Sequence, residues 1–230
     1  MKHVLGAVTI GQSPRPDVLE PMARVWGGDL QVRERGALDG LSEEEIAALQ
    51  PEGGGEALVT RLSDGREVVI DHHRTGELVA GAARHLAAEG CPTVLVLCTG
   101  EFDFRIPGVR LVFPRRVLTG LVCALHDEGA LGVLVPHRSQ EETVGGCWKR
   151  EGLEVVTETA SPYAFADDEA LFTRRADSLR RAGAAMIVMD CMGYTPEMRR
   201  AVVDAVGLPV VLASSAAAHA VACAFSPDLS

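Results

Sequence analysis

"AAMIVMDCMGYT", residues Ala184–Thr195, is the stretch on which the reading of this chain turns. Six mostly apolar residues run into Asp190 and Cys191, then a small residue, an aromatic and a hydroxyl follow. An earlier phrase, "TVLVLCTGEF" at Thr93–Phe102, is built the same way: an apolar run, a cysteine, a hydroxyl and a glycine. Short runs rich in Val, Leu and Ile are buried strands when helical stretches separate them. Each phrase therefore predicts a strand that ends in a loop carrying a thiol.

Outward from these two phrases, strand and helix patterns alternate. Strands are predicted at Val4–Ile10, Gln31–Arg35, Thr93–Leu97, Arg110–Phe113, Ala130–Val135, Glu154–Glu158, Ala185–Met189 and Pro209–Ala213. Helices are predicted at Pro16–Val25, Ser42–Leu49, Gly76–Glu89, Val117–Glu128, Ser139–Glu151, Asp167–Ala182, Pro196–Val206 and Ser214–Ala224. That order implies an α/β fold of parallel sheets covered by helices. Pro16 suits a first helical turn, where its missing N–H is no loss. "SEEE" at Ser42–Glu45 is a capping box. In "ALVTRLSDGREVVIDHH" an Asp-Gly pair separates two alternating runs, which predicts an antiparallel hairpin of Ala57–Arg61 and Glu67–Ile70. "PEGGGE" before it reads as a flexible lead-in. The apolar stripe "SSAAAHAVACAF" of the last helix reads as core packing, with Cys223 in it.

The chain also echoes itself. Its first half runs strand, "TIGQSPRPDV", helix, and later a strand ending in "CTG"; its second runs "LGVLVP", "HRSQEETV", helix, and later a strand ending in "DCMG". If the halves face each other, their loops share one cleft, and open α/β sheets bind ligands at the carboxyl ends of their strands.

Composition narrows the possible partners. The 230 residues are 47% hydrophobic, 23% charged and 4% aromatic, with a formal net charge of −10. That sign disfavours nucleic acid and anionic membranes, and so few aromatics disfavour base-stacking platforms. No apolar run reaches the roughly 18 residues of a membrane span, and "MKHVLGAVTIGQSPRP" reads as a first core strand rather than a signal peptide. The six cysteines show no C-x-x-C and no zinc-finger spacing, so free thiols in a reducing cytoplasm are expected.

Two thiols facing each other can do one kind of chemistry without a cofactor. One, as thiolate, takes the proton from a carbon next to a carboxylate while the other returns a proton to the opposite face. The substrate carboxylate and enolate oxygen then need donors. Thr99 and Gly100 follow Cys98; Gly193, Tyr194 and Thr195 follow Cys191; and Gly11, Gln12 and Ser13, with Arg15 nearby, form an anion cradle or an ordinary strand-to-helix turn. His137 and Arg138 read as surface loop. Asp190 either orients its loop by accepting N–H bonds, the favoured reading, or opposes ionisation of Cys191 by like charge. Asp71, His72 and His73, with His85, are a poor metal set, because adjacent histidines on a regular element point apart. G-x-S-x-G, G-x-G-x-x-G and a P-loop are absent from the sequence. No metal or cofactor is expected.

"TIGQSPRPDV", "LVLCTGEF" and "VMDCMGYT" resemble the AroM family, and the likeness extends over nearly the whole chain. That family is similar to the aspartate/glutamate racemase superfamily, with its hydantoin racemases, maleate isomerases and arylmalonate decarboxylases. The resemblance implies two pseudo-symmetric α/β domains with the active site in the cleft between them. The division expected is 1–114 with 208–230, carrying the hairpin at about 57–70, and 115–207. It implies catalytic cysteines at Cys98 and Cys191, a carboxylate-holding loop at Gly11–Ser13 and a small anionic carboxylate ligand, and it allows a homodimer, since related folds are often dimers. Racemases of that superfamily commonly show C-N-T and G-C-T at the thiols, where this chain has C-T-G and D-C-M-G; the asparagine is missing and Met192 replaces a hydroxyl. The leading expectation is a cofactor-independent racemase or isomerase. Its rivals are an isomerase or decarboxylase using one cysteine, a non-catalytic carboxylate sensor, and a redox pair formed by the two loops.

Overall fold

The computed structural model describes residues 3–28, 30–52 and 56–225. Gly53–Gly55, the centre of the expected lead-in, and the last five residues lie outside the described part. The first strand, β1 (His3–Thr9), leads into helix α1 (Pro16–Trp26), with Pro16 in its first turn as expected. Strand β2 (Leu30–Gly36) and the short helix α2 (Glu43–Ala47) follow. The capping box is present: Glu45 N–H donates to Ser42 Oγ at 3.2 Å and Ser42 N–H to the Glu45 carboxylate at 2.8 Å. Strands β3 (Ala57–Arg61) and β4 (Glu67–Asp71) pair antiparallel as the expected hairpin. Helix α3 (His72–Ala88) starts where β4 stops, and Asp71 caps it by accepting from Arg74 N–H. This helix begins four residues before the predicted Gly76, because its polar first turn carries no apolar periodicity.

Strands β5 (Thr93–Leu97) and β6 (Arg110–Val112) complete a four-stranded parallel sheet of order β2-β1-β5-β6. Its core includes Val8, Leu38, Ile70, Leu86, Val94 and Val96. After helix α4 (Pro114–Leu125), β7 (Ala130–Val135), helix α5 (Glu141–Arg150), β8 (Val155–Thr159), helix α6 (Glu169–Arg181), β9 (Ala184–Met189), helix α7 (Pro196–Val206) and β10 (Val210–Leu212) build a second parallel sheet, ordered β10-β9-β7-β8. The last described element is helix α8 (Ala213–Phe225). Read from the other edge, the second sheet repeats the first: β7 stands for β1, β8 for β2, β9 for β5 and β10 for β6. The hairpin is an addition to the first.

The chain divides into two compact units, Met1–Arg115 with Ala218–Ser230, and Arg116–Ala217. The expected division put 208–230 in the first domain. Instead, β10 pairs in parallel with β9, which carries Val210–Leu212 into the second sheet. Cys223 is exposed, not packed. Ser214, Ala217, Ala218, Val221 and Ala222 are buried at helical spacing, and Cys223 falls on the opposite face with His219. No helix among the described residues is long and apolar enough to cross a membrane.

Candidate active site

Both thiols stand at the carboxyl ends of equivalent strands. The five residues of β5 are all buried, and Cys98 follows at once. Its Sγ accepts from Gly100 N–H at 3.2 Å. The carbonyl of Thr99 accepts from the buried Arg115 guanidinium at 2.7 Å, so the loop is held at two consecutive points. A Cβ on Gly100 would lie 3.2 Å from Leu58, 3.4 Å from Cys98 Sγ and 3.4 Å from His72 Cδ2, all within the first unit. The inserted hairpin and the start of α3 thus border the first thiol loop.

The second loop repeats the sulfur contact. Cys191 follows β9 by one residue, and its Sγ accepts from Gly193 N–H at 3.4 Å. Gly193 is flanked by Pro162 and the Tyr163 hydroxyl. Asp190 is buried; its N–H donates to the Leu134 carbonyl and its carboxylate accepts from the Trp148 indole N–H at 2.8 Å. It ties the end of β9 to α5, and an indole supplies an N–H where backbone donors were expected. The Tyr194 hydroxyl donates to the Ala160 carbonyl at 2.8 Å, and Ser214 Oγ donates to the Tyr194 carbonyl at 3.1 Å. Thr195 caps α7, its hydroxyl accepting from Met198 N–H at 3.3 Å. Two of the side chains singled out as ligand donors therefore hold the loop itself.

The loop after β1 is similarly occupied. Gly11 N–H donates to Thr9 Oγ1 at 3.3 Å. A Cβ on Gly11 would meet Thr60 Oγ1 and the Arg61 carbonyl oxygen, each at 2.4 Å, so only a glycine lets the hairpin approach this closely. Gln12 N–H donates to the Arg61 carbonyl, and the Gln12 side-chain oxygen accepts from both N–H and hydroxyl of Ser63 at 2.9 Å. Ser13 N–H and hydroxyl donate to the two carboxylate oxygens of Asp39 at 2.8 and 2.6 Å, and Gly36 N–H adds a third bond at 2.7 Å. Of Gly11, Gln12 and Ser13, the loop expected to cradle an anion, Ser13 alone holds one, and it is this chain's own Asp39.

Arg15 is buried, and its guanidinium makes two bonds to Asp17, at 2.9 and 2.8 Å. Burial pushes the Asp17 carboxyl up, but the Arg15 hydrogen bond and the charges of Arg15 and Arg61 outweigh it and hold it below its ordinary value. Glu34, which accepts from Arg15 N–H at 2.7 Å, goes the other way. Burial raises it against the pull of that N–H, and the charges of Asp39 and Asp17 add to the rise. His137 starts a short 3-10 turn at the end of β7, its Nδ1 accepting from Ser139 N–H. Among the described residues no group of three His, Cys, Asp or Glu is placed to hold a metal ion.

Sequence reasoning did not place four residues beside these loops: Asp39, Trp148, Thr60 and His72. The same-face positions Leu58 and Thr60 on β3, and the helix-capping Asp71 ahead of His72, were the signals available.

Two helix-flanked parallel sheets of one strand order make an aspartate/glutamate racemase-like fold, and solved structures share it. The maleate isomerase Iso from Pseudomonas putida S16 matches with a TM-score of 0.65 at 15% identity, over 97% of this chain and 93% of that one. A double mutant of arylmalonate decarboxylase in the liganded form, with one glycine changed to cysteine and one cysteine to serine, matches with 0.62 at 16%, over 98% and 93%. Picrophilus torridus aspartate racemase matches with 0.61 at 10%, over 97% and 94%. No curated protein matches in sequence. The family model described as AroM protein matches residues 5–223. The chain belongs to the AroM family.

Proposed function

We propose that the protein is a cofactor-independent racemase or isomerase of a small carboxylate, with Cys98 and Cys191 exchanging one proton each with a single substrate carbon. The observation that carries this reading is the repeated thiol loop: at the ends of β5 and β9 each sulfur accepts an N–H from the glycine two residues on. An N–H aimed at sulfur stabilises the charge of a thiolate, and two such sulfurs suit a pair that alternates between thiolate and thiol. The fold relative named as an aspartate racemase supports this chemistry. While Ser13, Gln12 and Arg15 bond Asp39, Ser63 and Asp17, Thr99 and backbone N–H groups of the two thiol loops are assigned to the substrate carboxylate because they adjoin the sulfurs in the chain. These are the donors an enolate oxygen also needs.

Incubation with a panel of 2-substituted acids in deuterium oxide tests the reading. Deuterium is expected at the α-carbon of at least one acid, and Cys98→Ala and Cys191→Ala each abolish it while the protein stays folded. Full exchange in both variants refutes it. The two loops differ in one respect that favours a second reading: Cys191 precedes the start of α7, whereas Cys98 precedes a long loop to β6. A one-thiol isomerase or decarboxylase working through Cys191 would tolerate Cys98→Ala.

A further inference from the structure

His72 has a fixed address. Asp71 ends β4 and caps α3, so His72 is the first residue of that helix. Its ring packs against Phe102, with centroids 5.2 Å apart. Nδ1 lies 3.2 Å from the Glu56 carboxylate. An ionised carboxylate only accepts, so the neutral ring carries its proton on Nδ1 and a lone pair on Nε2. Nε2 is buried and makes no hydrogen bond among the described residues. Cδ2, the ring atom bonded to Nε2, and Cys98 Sγ are each 3.4 Å from the point a Cβ on Gly100 would occupy. The free edge of the imidazole and the sulfur therefore flank one glycine.

We infer that His72 is a positioning residue of the first thiol: a base, held by Glu56, that takes the proton of Cys98 and leaves it as the resting thiolate. In that step the S–H bond breaks, its electron pair stays on sulfur, and an N–H bond forms on Nε2. The Glu56 carboxylate balances the new imidazolium charge. A base oriented by a third group is the usual way a weak nucleophile is activated, and such contacts are often long in free enzymes and close on binding. The matching place beside Gly193 is lined by Pro162 and the Tyr163 phenol, which is no base near neutrality. Cys191 is thereby assigned the resting thiol. The inference rests on the reading of Cys98 as a working thiol and gives the two sulfurs distinct starting states.

Alkylation of the full-length protein by iodoacetamide at neutral pH, with each cysteine followed by peptide mass spectrometry, tests it without substrate. A failure here is thus separable from a failure of the deuterium assay. An ordinary thiol is a few per cent thiolate at pH 7, so full loss of the base slows Cys98 by about tenfold, with a ceiling of roughly 30-fold. His72→Phe, which keeps the ring against Phe102, and His72→Ala are expected to show that loss with Cys191 unaffected. Added imidazole restores the Cys98 rate in His72→Ala, which a purely structural role would not allow. Glu56→Gln, on an exposed side chain, slows Cys98 by about threefold and keeps the test open if a His72 variant does not fold. Unchanged Cys98 rates in the folded variants, or a loss that imidazole leaves untouched, overturn the inference.

Discussion

Replacing Gly11 with alanine is the sharpest test of how the hairpin is mounted on the first unit. The added Cβ would stand 2.4 Å from both Thr60 Oγ1 and the Arg61 carbonyl oxygen. Non-bonded heavy atoms rest at about 3.5 Å, so the hairpin must withdraw by roughly 1 Å. One obstacle is main chain, which no rotamer change relieves. Withdrawal also stretches the 3.3 Å bond from Gln12 N–H to Arg61, with the Ser63 contacts to Gln12 beside it. Overpacking costs about 1–3 kcal/mol and a lost hydrogen bond about 1 kcal/mol, so a destabilisation of about 2–3 kcal/mol is expected. Urea unfolding measures it, and hydrogen exchange at amides of Ala57–Asp71 shows whether the loosening is local. Gly76→Ala is the control: a Cβ there meets nothing within 4 Å, and in the helix alanine should gain up to about 1 kcal/mol. A Gly11→Ala loss below about 0.5 kcal/mol, with hairpin amides protected as in the wild type, would refute the close-packing argument.

Two further outcomes concern the buried Asp190 and the half-buried Glu34. Asp190→Ala strands the Trp148 indole N–H and should cost about 1–3 kcal/mol in urea unfolding, whereas Asp190→Asn keeps an acceptor oxygen and should cost less; equal losses would show that the bond is not what matters. Glu34 holds its proton to higher pH in the folded than in the unfolded chain, so stability present below its ordinary 4.5 is lost as pH rises through the raised value. Glu34→Gln should therefore match the wild type near pH 4 and be the more stable at pH 7, and a gap that does not change with pH would contradict this.

What could be read from the sequence was what neighbours along the chain decide. Thr93–Leu97 and Ala130–Val135 appear at their expected bounds because uncharged, Val- and Leu-rich runs meet polar or glycine-containing stretches at both ends. The capping box and Pro16 are local chemistry and stand as read. Helix α4 starts at Pro114 rather than Val117, because its first turn holds proline and two arginines in place of an apolar stripe. Which sheet β10 joins is a long-range choice that its three residues do not encode. The same division holds at the site. Both thiols could be placed at strand ends, but the groups that satisfy their surroundings come from afar. Asp39 reaches Ser13 across 26 positions, and Trp148 reaches Asp190 across 42. The acceptor of the Tyr194 hydroxyl, the Ala160 carbonyl, is likewise 34 positions away, whereas the partners of Arg15 and Thr195, Asp17 and Met198, lie within one turn.

The passage of α8 from the second unit into the first bears on the timing of synthesis. The Trp26 indole N–H finds its acceptor, the Ala218 carbonyl, 192 residues later, and Phe225 packs beside His3 and Arg110. Domains generally fold in order as they leave the ribosome. Here the first unit waits for α8, so a nascent chain that stalls before that helix emerges would hold a nearly finished second unit and an unsealed first.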